Sequence, residues 1–330
     1  MNNLLSDNYL IKINTIIILH EILCVKYEQN KIIILNNIDQ IIDIFIKIIK
    51  DLFYYIENYN NHLESNLNTN FIKFTKYIVT TLCKLLSNKE LILNVSYRTI
   101  YNLSEELISC LIINEDLIKG NDNNNKQEKN IIFKSLNSSM MRILDNYNTT
   151  SILLILIELI SNYYNKNIHN YNVFISTIIN CLEKKTQNIE TIISDIQIDA
   201  ILLQVHLLLN KLNEYLSDLK PKNDIDNMII SFIKKFIYAI ICYKKEKILY
   251  DYNKSVRCHF LNDKYIINWI NDLLHLNEDK KIKDNKKYNN KLYNLKKSDN
   301  NYNNSISNFK KTNGKLVTSF SNKIIFKNKK

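Results

Sequence analysis

The chain has 330 residues and a formal net charge of +11, with only two glycines, Gly120 and Gly314, and one proline, Pro221. Neither a G-x-G-x-x-G dinucleotide loop nor a G-x-x-x-x-G-K phosphate loop can be written with these glycines, and a β-rich fold would lack residues for its tight turns. Residues 278–330 hold 15 Lys against 4 acids, so the whole positive excess sits there and residues 1–277 are neutral.

Ile, Asn and Lys dominate the composition. An AT-rich coding sequence produces that bias without selection for function, so Asn runs and Ile content are discounted as signals. The apolar fraction of 46% still suffices for a large core.

In chain order the apolar pattern is helical. Residues 39–57 (DQIIDIFIKIIKDLFYYIE) place Asp43, Lys47, Lys50, Asp51 and Glu57 at three- and four-residue steps, one wet stripe on an otherwise apolar helix. Similar spacing predicts helices over about 10–27, 38–58, 69–87, 95–113, 131–146, 151–165, 171–185, 199–217 and 224–248. Residues 115–130, with Gly120 and the densest Asn cluster, read as a surface loop. Thr150 or Ser151 is the expected N-cap of the sixth helix and Asp199 that of the eighth. Within the eighth, Ile201, Leu202, Val205, Leu208, Leu209, Leu212 and Leu216 share a face. Short polar connections imply antiparallel neighbours, and about nine helices in pairs suggest a HEAT-like stack with repeats of about 40–47 residues. The expected fold is all-α: a helical domain over 1–255, then a short amphipathic helix and a basic tail over 256–330.

The residues that could carry chemistry are dispersed. Six cysteines (24, 83, 110, 181, 242, 258) occur singly, the pattern of reduced, buried thiols. The six histidines show no metal-ligand spacing. His206 lies on an apolar helix with no Ser or Cys motif beside it, and reads as a core or boundary histidine. No metal, no cofactor and no enzymatic activity are expected. The longest apolar runs fall well short of the ~20 residues of a membrane helix, and the N-terminus lacks the features of a secretory signal.

Residues 265–276 (YIINWINDLLHL) form a short amphipathic stretch around Trp269, either a last helix docked on the body or a detachable helix for a partner's groove. The tail interleaves Lys with Tyr and Phe and contains no Arg. Its charge suits an acidic polymer: nucleic acid, anionic lipid or the acidic tails of tubulin. The lack of Arg, the preferred fork for bases and phosphates, argues against sequence-specific nucleic-acid recognition.

Residues 134–153 (KSLNSSMMRILDNYNTTSIL) resemble a signature in the C-terminal region of the TOG-domain microtubule polymerases, the ch-TOG and minispindles family. The matching positions are Lys134, Ser135, Leu136 and Asn137; Arg142, Ile143, Leu144 and Asp145; and Thr150, Ile152 and Leu153. A second stretch, residues 193–206 (ISDIQIDAILLQVH), matches at the family's spacing through Ile196, Asp199, Ile201, Leu202, Leu203 and His206. Cys181 with Leu182 and residues 247–249 (KIL) also correspond, and residues 13–23 and 95–111 align more loosely. The resemblance covers most of residues 10–255. In the tail, Leu292, Tyr293, Lys296, Lys297, Ile306, Phe309 and Phe320 fall on a small module of short helices that follows the family's helical domain.

The resemblance implies an all-α HEAT-like domain that binds adaptors, notably TACC-type coiled-coil proteins or other plus-end and spindle-pole proteins. It also implies a place in the cytoplasm on the cytoskeleton: spindle, spindle poles, kinetochores and microtubule plus ends. The motif residues are expected to be structural, with Ser135 and Asn137 satisfying backbone at a helix start. Candidate contacts to a partner or to tubulin are Trp269, Tyr293, Lys296, Lys297, Lys310 and Lys311. The family's polymerase activity comes from an N-terminal array of TOG domains, for which a chain of this length has no room. The alternative reading is an α-helical adaptor whose tail binds RNA or anionic membrane.

Overall fold

The computed structural model describes residues 9–59, 65–119, 126–164, 171–187, 189–216 and 221–244, with Asn268 and Asn271. Among these residues there are twelve α-helices and no strand: α1 (Tyr9–Val25), α2 (Tyr27–Asn36), α3 (Ile38–Tyr59), α4 (Ser65–Ser87), α5 (Lys89–Leu93), α6 (Tyr97–Lys119), α7 (Lys126–Asn146), α8 (Thr149–Tyr163), α9 (Tyr171–Thr186), α10 (Ile189–Ile192), α11 (Ile198–Tyr215) and α12 (Asp224–Lys244). The chain forms an all-α array of the HEAT type, as the apolar spacing predicts.

The chain divides into two compact units, residues 1–230 and 231–330. In the first, α4 packs between α1 and α7, and α6 between α3 and α9. Helix α7 also lies against α6, while α8 packs on both α9 and α11. The wet stripe on α3 is as expected: Asp43, Lys47, Lys50 and Asp51 are exposed, while Ile42, Phe45, Ile49 and Phe53 are buried. Helix α8 is buried nearly all round, from Ile152 to Ile160. That marks it as a central helix rather than a surface one. The seven apolar residues named on α11 are all buried. In the second unit, the described part of α12 buries Phe232, Ile233, Phe236, Ile237, Ile240 and Ile241, with Phe232 and Phe236 stacked at 5.8 Å.

The nine expected helices are present, and three short ones join them: α2, α5 and α10. Helix α5 is five residues long and starts where the Asn88 side chain accepts the Glu90 and Leu91 N–H groups. The expected loop over 115–130 is corrected at both ends. Residues 115–119 finish α6 and residues 126–130 begin α7, so the interruption narrows to residues 120–125, which lie outside the described residues.

Two caps are corrected as well. Helix α8 is capped by Asn148, whose side chain accepts the Ser151 N–H at 2.9 Å; Thr150 and Ser151 are inside the helix. Helix α11 begins after Gln197, which makes no side-chain cap, and Asp199 stands in the first turn. A carboxylate there suits the positive end of the helix dipole. Ser104 Oγ is buried without a hydrogen-bond partner, a desolvation cost of about 1–3 kcal/mol.

The cysteines are single but not uniformly buried: Cys110 and Cys181 are, Cys83 is partly so, and Cys24 and Cys242 are exposed. Cys258 lies outside the described residues. Burial pushes the Cys181 thiol up to about 12 from 9.0. The folded pKa is raised, so the contribution is fully present below pH 9.0 and is lost as pH climbs toward 12, where the unfolded chain ionises first. Urea titrations across that window should show stability falling less steeply in Cys181→Ala than in the wild type. Equal slopes would mean that the thiol is not sealed from water.

Candidate interaction surface

The two family-like stretches meet in space. Residues 134–146 run along the second half of α7, Thr150, Ile152 and Leu153 sit on α8, and residues 196–206 lead into and along α11. Helix α8 packs on α11. The joint between them is polar at one point. Thr150 Oγ1 donates to the Asp195 carbonyl at 3.3 Å and accepts the Gln197 N–H at 3.0 Å. Thr150 therefore tethers the backbone just before α11, in place of the local cap expected from it. Leu136, Ile143, Leu144, Ile152, Leu153, Ile201 and Leu202 are buried.

The C-terminal end of α7 is closed from a distance. Lys185 Nζ on α9 donates to the Leu144 carbonyl. A cation suits the negative end of the helix dipole. Burial holds the Lys185 ammonium below its usual pKa, while the charge of Asp145 acts in the opposite sense. Asn146 Nδ2 donates to the Leu86 carbonyl at 3.0 Å, finishing α4, and Tyr147 O–H donates to the Val95 carbonyl at 3.3 Å.

Ser135 and Asn137 are not at a helix start, because α7 begins at Lys126. The Ser135 carbonyl accepts from Ser139 Oγ at 2.9 Å, and Asn137 is half-buried. His206 is fully buried, and Asn210 Nδ2 lies 2.9 Å from its Nε2. The amide can only donate, so Nε2 accepts and the proton sits on Nδ1. This is the satisfied core histidine expected from the sequence.

Lys134, Arg142 and Asp145 are exposed. Lys134 and Ser135 line a groove of about 220 Å³ between α4 and α7, together with Thr80, Cys83, Ile131 and Ser138. That is smaller than the ~300 Å³ at which small-molecule sites begin. Its α7 wall, Ile131, Lys134, Ser135 and Ser138, has the i, i+3, i+4, i+7 spacing of one helix face. The spacing was available in the sequence; Thr80 and Cys83 on the opposite wall carry no such signal. Trp269, Tyr293, Lys296, Lys297, Lys310 and Lys311 lie outside the described residues, as do residues 278–330 altogether.

A second polar seam joins α6 to α8. Tyr97 O–H donates to Glu158 at 2.7 Å, Asn162 Nδ2 to the Tyr101 hydroxyl at 2.9 Å, and Tyr163 O–H to Glu105. Burial, then the partner carboxylates, push the Tyr97 and Tyr163 phenols well above their usual pKa. Burial also raises the Glu106 carboxyl, against the opposing pull of Lys50 at 3.8 Å. Glu158 and Glu105 thus face tyrosine hydroxyls across the α6–α8 joint, while Glu106 accepts from the Cys110 thiol at 3.6 Å within α6 and faces Lys50 of α3. Among the described residues no group of three His, Cys, Asp or Glu side chains could hold a metal ion, and no helix is long and apolar enough to cross a membrane.

No protein-family model matches the chain, and no solved structure does. Among curated proteins it is similar to Protein MOR1 of Arabidopsis thaliana, at 24% identity over 180 residues, which is 50% of this chain. The matched stretch is 8% of MOR1, so the chain spans a small part of that protein's length.

Proposed function

We propose that the chain is a non-enzymatic microtubule-associated module whose helical body docks a partner protein and whose Lys-rich tail contacts tubulin. The observation that carries this reading is the joined pair of motifs over residues 134–153 and 193–206, which resemble the C-terminal region of the TOG polymerases. The similarity to Protein MOR1 of Arabidopsis thaliana supports it. The partner class is a coiled-coil adaptor of the TACC type or another plus-end or spindle-pole protein, with the α4–α7 groove taking one of its side chains. The site of action is the cytoplasmic cytoskeleton: spindle, spindle poles, kinetochores and plus ends.

The tail supplies the second contact. Fifteen Lys over residues 278–330 suit the acidic tails of tubulin, and such contact weakens as salt screens it. The purified chain should co-pellet with microtubules at low ionic strength. Deleting residues 278–330, or trimming the acidic tubulin tails, should each reduce the bound fraction. Pelleting that survives both changes would rule out the tail mechanism. A competition with RNA and with anionic vesicles tests the other adaptor reading: a tail that leaves microtubules for either one belongs to that class.

A further inference from the structure

Helix α1 carries a thiol whose neighbours arrange its proton. Cys24 is exposed on α1, with His20 one turn before it and Sγ 3.5 Å from His20 Nε2. On the far side of the imidazole, Nδ1 lies 3.2 Å from Thr81 Oγ1 on α4. Thr81 is fully buried and donates its single hydroxyl proton to the Tyr77 carbonyl at 2.7 Å. Thr81 can then only accept from the ring, so the His20 proton sits on Nδ1. This leaves the Nε2 lone pair aimed at the Cys24 sulfur. A nucleophile, a base within reach and a third group orienting the base make up the arrangement that activates a thiol.

An independent observation concerns the exposed surface of α1 and of the helix that follows it. Ile17 stands two turns from Cys24 on the same line of α1, and is 44% exposed; Ile18 is 56% exposed and Val25 74%. On α2, Ile32 and Ile33 are 74% and 66% exposed. Most of the other large hydrophobic side chains exposed among the described residues are tyrosines, which carry a polar tip. Helix α1 is apolar nearly all round, the composition of a helix covered on every side. Glu21, exposed on α1, is held by Lys26 at 3.3 Å.

We propose that Cys24 is an acceptor site for a long-chain acyl group, delivered as an acyl thioester, with the aliphatic surface of α1 receiving the chain. His20 Nε2 takes the thiol proton and Cys24 Sγ adds to the acyl carbonyl carbon. The addition intermediate collapses by breaking the bond to the donor sulfur, and the departing thiolate takes the proton from His20. One thioester is exchanged for another, and nothing is oxidised or reduced. The acyl chain then covers isoleucines otherwise left against water.

The experiment uses the full-length chain, fully reduced, with palmitoyl-CoA and separately with acetyl-CoA. Acylation at each cysteine is followed by peptide mass mapping, and exposed Cys242 serves as the internal reference. Cys24 should react about 100-fold faster than Cys242, the scale of a positioned general base, and faster with the long-chain donor than with the short one. His20→Gln should abolish the advantage. Thr81→Val, which keeps the side-chain shape and removes the acceptor that orients the ring, should reduce it. Equal rates at Cys24 and Cys242 would overturn the proposal, as would equal rates with the two donors, or a Thr81→Val chain that folds and reacts like the wild type.

Discussion

Replacing Asp226 with Ala is expected to lower the stability of the first unit by about 3 kcal/mol, one of the two largest single-residue losses predicted for this fold. The carboxylate is 1% exposed and sits in the first turn of α12. One oxygen accepts the Tyr164 hydroxyl at 2.9 Å. The other accepts the backbone N–H groups of Lys222 at 2.9 Å and Asn223 at 3.2 Å. In return Asn223 Oδ1 accepts the Asp226 N–H at 2.9 Å, closing a reciprocal capping box. Truncation removes the acceptor of three donors at once: the buried Tyr164 hydroxyl and the backbone N–H groups of the exposed residues Lys222 and Asn223. Tyr164→Phe removes one of them and should cost about 1.5 kcal/mol. Urea unfolding of both variants and of the double mutant checks this. Because the two groups share one hydrogen bond, the double mutant should lose less than the two single losses added. Simple additivity would mean that the bond contributes nothing.

This lock was hidden in the sequence for a compositional reason. Asn is so abundant that each one was discounted, yet Asn88, Asn148 and Asn223 all cap helices. Asn37 and Asn94 finish others by donating to the carbonyls of Ile33 and Glu90, both at 2.8 Å. An AT-rich bias sets how many Asn a chain has, but packing selects which of them work. The long helices were legible because a core-facing stripe repeats over many turns. α5 and α10, of five and four residues, are too short to show a period. α2 carries consecutive isoleucines, of which only Ile34 is buried, so it has no apolar face to read.

The joint between the two family-like stretches was legible in part for a related reason. The motif over residues 134–153 falls on α7 and α8, the latter packed on α11, but its hydrogen bonds are long-range. Thr150 reaches residues 195 and 197, and Leu144 is reached by Lys185. Side chains that join distant segments look, in sequence, like local caps. The local reading of Ser135, Asn137, Thr150 and Asp199 therefore failed, whereas the burial of His206 followed from its place on an apolar face.

The motif residues divide by exposure into two groups with opposite expected effects. Leu153 is fully buried on a central helix, so Leu153→Ala should cost about 3 kcal/mol through lost burial and the cavity left behind. Arg142 is exposed on α7, and Arg142→Ala should change stability by no more than about 0.5 kcal/mol. Lys134, exposed at the groove, should behave in the same way. If the stretch serves only the fold, Leu153→Ala alone will alter binding to microtubules or a partner, and only at temperatures where it unfolds. If the stretch also presents a contact, Arg142→Ala or Lys134→Ala will weaken binding at unchanged melting temperature. Measuring thermal melts and pelleting on the same three variants separates the two cases. Lys134 stands at the wall of the groove between α4 and α7 beside Ser135 and Ser138, so Lys134→Ala is the variant that tests the groove as a contact.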